Sequence, residues 1–427
     1  MTITVYPPLG SSSSNPTSVS IGGTQVDAFG RLRVSQPYTL YDSQARYAKD
    51  STFSYVVTGS GASSYNTNQS SVNLTVGTAI GTATAQTYRV FPYQPGKSLL
   101  TLQTFTMATG QTNLNQKVGF FNTNNGLYFM QSGTTLYVSV LSFTIRTFTS
   151  GSAVDTTVNQ SSWNGDKLDG TGASGLSLDV TKTQILFFDM EWLGVGRVRC
   201  GFNIAGQYIV CHTFYNSNTT NLVVYMQTAI LNLRYEINAT GTVTGTPVLQ
   251  QICSTVISEG GYEQISQQYV ARQSGAITLT TANSFYPIVG ITLNPSYLGA
   301  VVLPANTSFL PVSTGVYEVL LLKNPTYSAT TTTSGALSGG QVDLILPTTA
   351  SAPTALTFTA DQVVQSSYAT ASNQSRSFTD VPTGFNWDLQ LGVALGASVS
   401  DVYILAARCT TGANTCLGSI SFYNLTV

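Results

Sequence analysis

Residues 184–214 decide the fold: QILFFDMEW (184–192), LGVG (193–196), RVRCGFNI (197–204), AG (205–206), QYIVCHTF (207–214). Two glycine-bearing turns divide three runs of strand length. In the second run, Val198, Cys200, Phe202 and Ile204 share one face, and Arg197, Arg199, Gly201 and Asn203 share the other. A period of two with one apolar face describes a strand that covers a core on one side and meets water on the other. The segment therefore reads as an antiparallel meander.

The same pattern recurs along the chain, and helical periodicity is nearly absent. Leu136–Arg146 (LYVSVLSFTIR) and Val316–Leu321 (VYEVLL) read as half-buried strands, and Asn125-Gly126 between apolar runs marks a hairpin turn. The expectation is an all-β protein. Residues 1–48 form an extended N-terminal arm, 49–250 a large antiparallel β-sandwich of the jelly-roll or concanavalin/lectin-like kind, and 251–427 a second β-rich domain. Thr-rich stretches at 326–340 and 347–358 read as long surface loops within the second domain.

Composition narrows the function. Of 427 residues only 8% are charged, against roughly 25% in ordinary soluble domains. Hydrophobic residues reach 42%, so cores can form beneath a neutral, polar surface. The net charge of −1 gives nucleic-acid binding little electrostatic support. The absence of any stretch of 18 apolar residues argues against a membrane-inserted helix. The opening Met-Thr-Ile-Thr-Val-Tyr-Pro-Pro has neither a basic nor an apolar leader region, so no secretory signal is expected. An extracellular style of composition without a leader suggests release by another route, such as lysis of a host cell.

Candidate chemistry is sparse. His212 is the one histidine, and no G-x-S-x-G elbow surrounds a serine, so a hydrolase triad is not expected. Gln94-Pro95-Gly96-Lys97-Ser98 imitates the end of a phosphate loop, but Phe91 stands where its first glycine belongs. Asp166 and Asp169 lie in a polar loop without the spacing of a calcium hand. The five cysteines contain no C-x-x-C pair, so no metal and no cofactor is expected. Cys200 should face Cys211 across the Ala205-Gly206 hairpin, and Cys409 should face Cys416 across Gly412-Ala413, in each case as free thiols.

Asp189 and Glu191 carry the sharpest enzyme reading. Two apart on one strand, they point the same way, roughly 6–7 Å apart, near the carboxylate separations of glycosidases. Phe187-Phe188-Asp189-Met190-Glu191 looks like a decayed E-x-D-x-E strand of laminarinase-type glycosidases, with Phe187 where the nucleophile would stand. A second reading places Asp189 opposite Arg199 and Glu191 opposite Arg197 in a cross-strand charge ladder. The expectation is no enzyme.

Several segments together resemble a family of virion structural proteins of marine tailed phages and large DNA viruses of protists. They are Val26-Asp-Ala-Phe-Gly-Arg-Leu-Arg-Val-Ser35 with Pro37–Leu40 and Asp42-Ser43, Trp192–Arg199 with Gly201-Phe202, Arg234–Ile237, and Cys253–Tyr262. The resemblance implies a component of the virion: capsid-associated, decoration, or tail or fibre. Its partners would be further copies of the chain, a trimer among the forms considered, and other virion proteins. The alternative is a carbohydrate-binding fibre or adhesin that takes a host-surface glycan. Phe29, Arg31, Leu32, Arg33 and Val34 are the candidate assembly residues, as a strand added to a neighbour's sheet. The alternative is that the same stretch is simply the first strand of its own sandwich.

Overall fold

The structure, a computed structural model, describes residues 2–5, 17–20, 36–133, 139–219, 222–327, 331–347, 350, 353–372, 379–382 and 386–426. The assembly residues Phe29, Arg31, Leu32, Arg33 and Val34 lie outside them. The chain is all-β, and the sheets are antiparallel. Within the arm, Thr2–Val5 pairs with Thr17–Ser20.

The meander of Gln184–Met190, Val198–Ile204 and Gln207–Phe214 forms one end of a 13-stranded sheet. From the far edge the order is Ser152–Asn159, Ser139–Thr149, Gly126–Gly133, Leu114–Phe121, Leu233–Ala239, Ser71–Thr87, Val248–Ser258 and Leu99–Thr106, then the meander. The sheet folds over on itself at Ser71–Thr87. Residues 81–86 of that strand pair with Leu233–Ala239, and residues 72–75 pair with Val248–Gln251. Its hairpin partner Phe53–Asn66 slips register between Gly59 and Gly61. A Cβ on Gly61 would sit 2.0 Å from the Thr82 carbonyl oxygen, so the bend requires glycine there.

Folding over brings strands distant in the sheet order face to face. Phe129 meets Phe202 edge-on at 5.2 Å, and Phe143 meets Phe188 at 6.0 Å. Trp163 closes the end of this aromatic core, 4.7 Å from Phe143. Such pairs contribute about 0.5–1.5 kcal/mol each beyond their burial.

A five-stranded sheet opposes a six-stranded one in the second half of the chain. Phe309 and Tyr317 meet across the layers at 5.6 Å, over a core of Ile291, Leu405, Ile420 and Phe422. A small outer core of Leu320, Leu322, Ile404 and Ala406 lies beneath Leu356 on the reverse of the six-stranded sheet.

Several expectations change. Tyr38–Gln44, assigned to the arm, pairs with Val248–Ser258 inside the first sandwich. That strand spans the expected boundary at 250/251, and the second core begins at Ala271. Thr331–Leu337, expected within a loop, is an edge strand on Val342–Pro347, as its β-branched threonines favour. Cys200 faces His212, because a β-bulge opposite Cys200/Gly201 shifts the register by one. Cys409 pairs with Tyr317 in one sheet and Cys416 with Ile277 in the other, so these two are not hairpin partners. All five cysteines are free, and only Cys253 is exposed.

Candidate functional site

Alternation along the meander builds a cleft on the outer face of the first sandwich. Leu186, Phe188 and Met190 point into the core, which turns Phe187 and Asp189 to the outer face, where Phe187 is nonetheless covered to 3% exposure. On the next strand Val198, Cys200 and Phe202 point inward, which leaves Arg199 and Gly201 outside. The register sets Asp189 opposite Arg199 and Phe187 opposite Gly201. Asp189 and Arg199 form an ion pair. Beyond the strand end, Glu191 lies 3.4 Å from Arg197, and Gly196 N–H donates to the Trp192 carbonyl at 2.8 Å to close the turn. The four charged residues singled out from the sequence thus come together as two cross-strand pairs. Glu191 and Arg197 lie outside the cleft itself.

Gly201 decides the shape. A Cβ there would come within 2.8 Å of the Phe187 ring. Its absence lets Phe187 lie across the strand and meet Tyr208 edge-on at 5.1 Å. Tyr208 keeps 51% of its surface exposed. Ser98, Leu100, Val210 and Glu259 complete a cleft of about 430 Å³ around Phe187, Asp189, Arg199 and Tyr208. Glu259 is fixed by its own N–H, which donates to the Ser98 carbonyl at 2.9 Å. Two of the sequence segments quoted above meet here: Trp192–Arg199 with Gly201 supplies one wall, and Cys253–Tyr262 supplies Glu259.

No protein-family model and no curated protein matches this chain. Solved structures similar to parts of it include the Emp47p carbohydrate recognition domain, at 9% identity and TM-score 0.34, over 56% of this chain and 99% of that one. The CBM2 module of the Lactobacillus casei BL23 phage J-1 evolved Dit is similar at 9% identity and TM-score 0.37, over 54% and 100%. A β-1,3-glucanase from Mycobacterium marinum is similar at 10% identity and TM-score 0.32, over 51% and 98%. Likeness at this level carries nothing about binding or activity to this chain.

The opposite outer face of the same sheet is built differently. Arg234 and Glu236 on one strand and Lys117 on its neighbour form an ionic cluster, with Lys117 Nζ 3.3 Å from Glu236. Arg146 makes a two-pronged contact to Asp155 at 2.7 and 2.8 Å, and the Tyr128 hydroxyl donates to Asp155 at 2.8 Å. The Arg234 guanidinium lies 5.2 Å over Phe121, and Lys117 and Arg146 each lie 5.4 Å from the Tyr128 ring. Burial alone would raise the Glu236 carboxyl, but Arg234 and Lys117 outweigh it and hold the group below the usual carboxylate range. Asp155 is lowered in the same way by Arg146 and Tyr128 against its own desolvation. Sequence reasoning did not assemble this cluster. The alternation of Arg234 and Glu236 about Tyr235 was its one local signal.

The remaining candidates are structural. His212 is 6% exposed, accepts from Asn164 N–H at 3.3 Å, and meets Phe214 edge-on at 4.5 Å. Burial lowers its imidazole below the usual value. Gln94–Ser98 is a turn closed by Lys97 N–H on the Gln94 carbonyl at 3.2 Å. Asp166 accepts from Leu168 and Ser174 N–H within its own loop. Among the described residues no group of three His, Cys, Asp or Glu side chains could hold a metal, and no helix is long and apolar enough to cross a membrane.

Proposed function

We propose that this protein is a carbohydrate-binding protein whose first sandwich takes a saccharide in the Phe187–Tyr208 cleft without cleaving it. The observation that carries this reading is the half-exposed Tyr208 ring beside the Asp189–Arg199 pair and Glu259 in one preformed cleft. A sugar presents an apolar C–H face and a rim of hydroxyls. Tyr208 offers an amphipathic ring for the first, and the carboxylates and guanidinium offer charge-assisted hydrogen bonds for the second. The volume falls within the usual range for small-ligand sites.

The placement of the acids supports binding without turnover. Asp189 is engaged by Arg199 and Glu191 is paired with Arg197 outside the cleft, and in the resemblance to the laminarinase-type strand Phe187 stands where the nucleophile would be. The wider setting we propose is a virus particle, on the sequence segments quoted above and the neutral polar surface. In that setting the glycan belongs to a host surface.

The test is titration of the purified chain with β-1,3- and β-1,4-linked gluco-oligosaccharides and mannotriose, with product analysis after long incubation. Tyr208→Ala should weaken binding about tenfold or more, with no shorter sugars released by the native protein. Unaltered binding by Tyr208→Ala would remove the cleft as the site. Release of shorter sugars by the native protein would make the protein an enzyme.

A further inference from the structure

A larger recess lies where the two sandwiches meet. It has a volume of about 870 Å³ and is open to solvent. One wall is Tyr38–Gln44 and the loop after it, and the other is Asn386–Asp388 from the second half of the chain. The aromatic wall is held together by its own contacts. Trp387 Nε1 donates to the Tyr38 hydroxyl at 3.3 Å, and Tyr262 backs both rings, 5.0 Å from Trp387 and 5.7 Å from Tyr38. Arg89 ties the walls together through Asp388 at 3.1 Å and lies 5.1 Å over the Tyr41 ring. The opposite loop is also braced: Tyr65 donates to the Arg46 carbonyl at 2.7 Å, and Lys49 donates to the Ser63 carbonyl at 2.8 Å. That bracing holds Tyr47 out into the recess at 87% exposure.

We infer that this crevice is a second saccharide-binding site, in which a sugar ring lies between Tyr47 and the Tyr38–Trp387 wall and its hydroxyls meet Asp42, Arg46 and Asn386. The inference takes its ligand class from the reading of the first cleft but rests on separate residues. The lining decides against other ligands. Charges of both signs alternate around it, so neither a polyanion nor a polycation gains a net attraction. Three aromatic rings with interleaved donors and acceptors suit a neutral, polyhydroxylated ring. The volume is about twice that of the first cleft, which leaves room for a longer saccharide.

The experiment uses the full chain with laminaritetraose, cellotetraose and mannotriose as probes. Tyr208→Ala should retain one bound saccharide per chain. Adding Tyr47→Ala or Trp387→Ala to that background should weaken the remaining site about tenfold or more. Trp387 also joins the sandwiches, so its variant can fail to fold. Tyr47, nearly bare, gives the same readout without that risk. Loss of all binding in Tyr208→Ala, or residual binding that Tyr47→Ala leaves unchanged, overturns the crevice site and leaves the first cleft standing. Binding that Tyr47→Ala weakens while Tyr208→Ala is inert keeps the crevice and removes the first cleft.

Discussion

The two outer faces of the first sandwich come from one folded sheet, yet they treat their charges in opposite ways. On the face with Arg234, Glu236, Lys117, Arg146 and Asp155, the charged side chains are less than about one-fifth exposed, except Asp155 at 35%. Its cations lie on the Phe121 and Tyr128 rings and its carboxylates are met by cations, so little hydrogen-bonding capacity remains for a ligand. On the cleft face, Arg199 is 45% exposed and Tyr208 is half bare beside it. A cluster buried among its own partners holds structure, although the buried Arg234 Nε finds no hydrogen-bond partner, and a cluster with exposed guanidinium and ring surface recognises something. In a chain with so few charges, the distinction lies in how completely each is met.

Removing one charge from each face separates the two roles. Glu236→Ala strips the anion from between Arg234 and Lys117 and leaves those cations buried and unmatched. The loss of stability should be about 3 kcal/mol, read by denaturant unfolding. The same group gives an acid signature. Its folded pKa lies below its unfolded value, so its contribution is complete above the unfolded pKa, about 4.3, and fades as the pH falls through the folded one. Glu236→Gln should therefore flatten the fall in stability below about pH 4. A variant as stable as the native chain, with an unchanged acid limb, would show that the cluster holds nothing together.

The smallest stability effect belongs to the cleft. Asp189→Asn breaks a pair whose guanidinium is 45% exposed although its carboxylate is only 14% exposed, and should cost about 1 kcal/mol, yet weaken saccharide binding about tenfold. A large loss of stability with binding intact would reverse the assignment of the two faces.

Much of the fold is legible in sequence because turns set register. The three-residue Leu193–Val195 loop, closed by Gly196 N–H on the Trp192 carbonyl, places Asp189 opposite Arg199, as counting outward from it requires. The Ala205-Gly206 turn, with both residues at positive φ, sets Gly201 opposite Val210 in the same way. The bulge beyond that pair follows no local pattern, which is why Cys200 meets His212 rather than Cys211. The cleft is less legible. Phe187, Tyr208 and Glu259 come from separated segments, and only the folded sheet shows that Glu259 reaches a wall built by the meander. The crevice is less legible still, because Trp387 and Tyr38 stand 349 residues apart. The Thr331–Leu337 strand was hidden by composition, since a run of threonine serves loop and edge strand alike.

The most direct test of the central claim is a structure of the chain with a bound gluco-oligosaccharide. The account predicts a sugar ring lying on Tyr208, with hydroxyls in hydrogen-bond reach of Asp189, Arg199 and Glu259 and the glycosidic bonds intact. An empty cleft at a concentration where the saccharide is bound elsewhere on the first sandwich would contradict it.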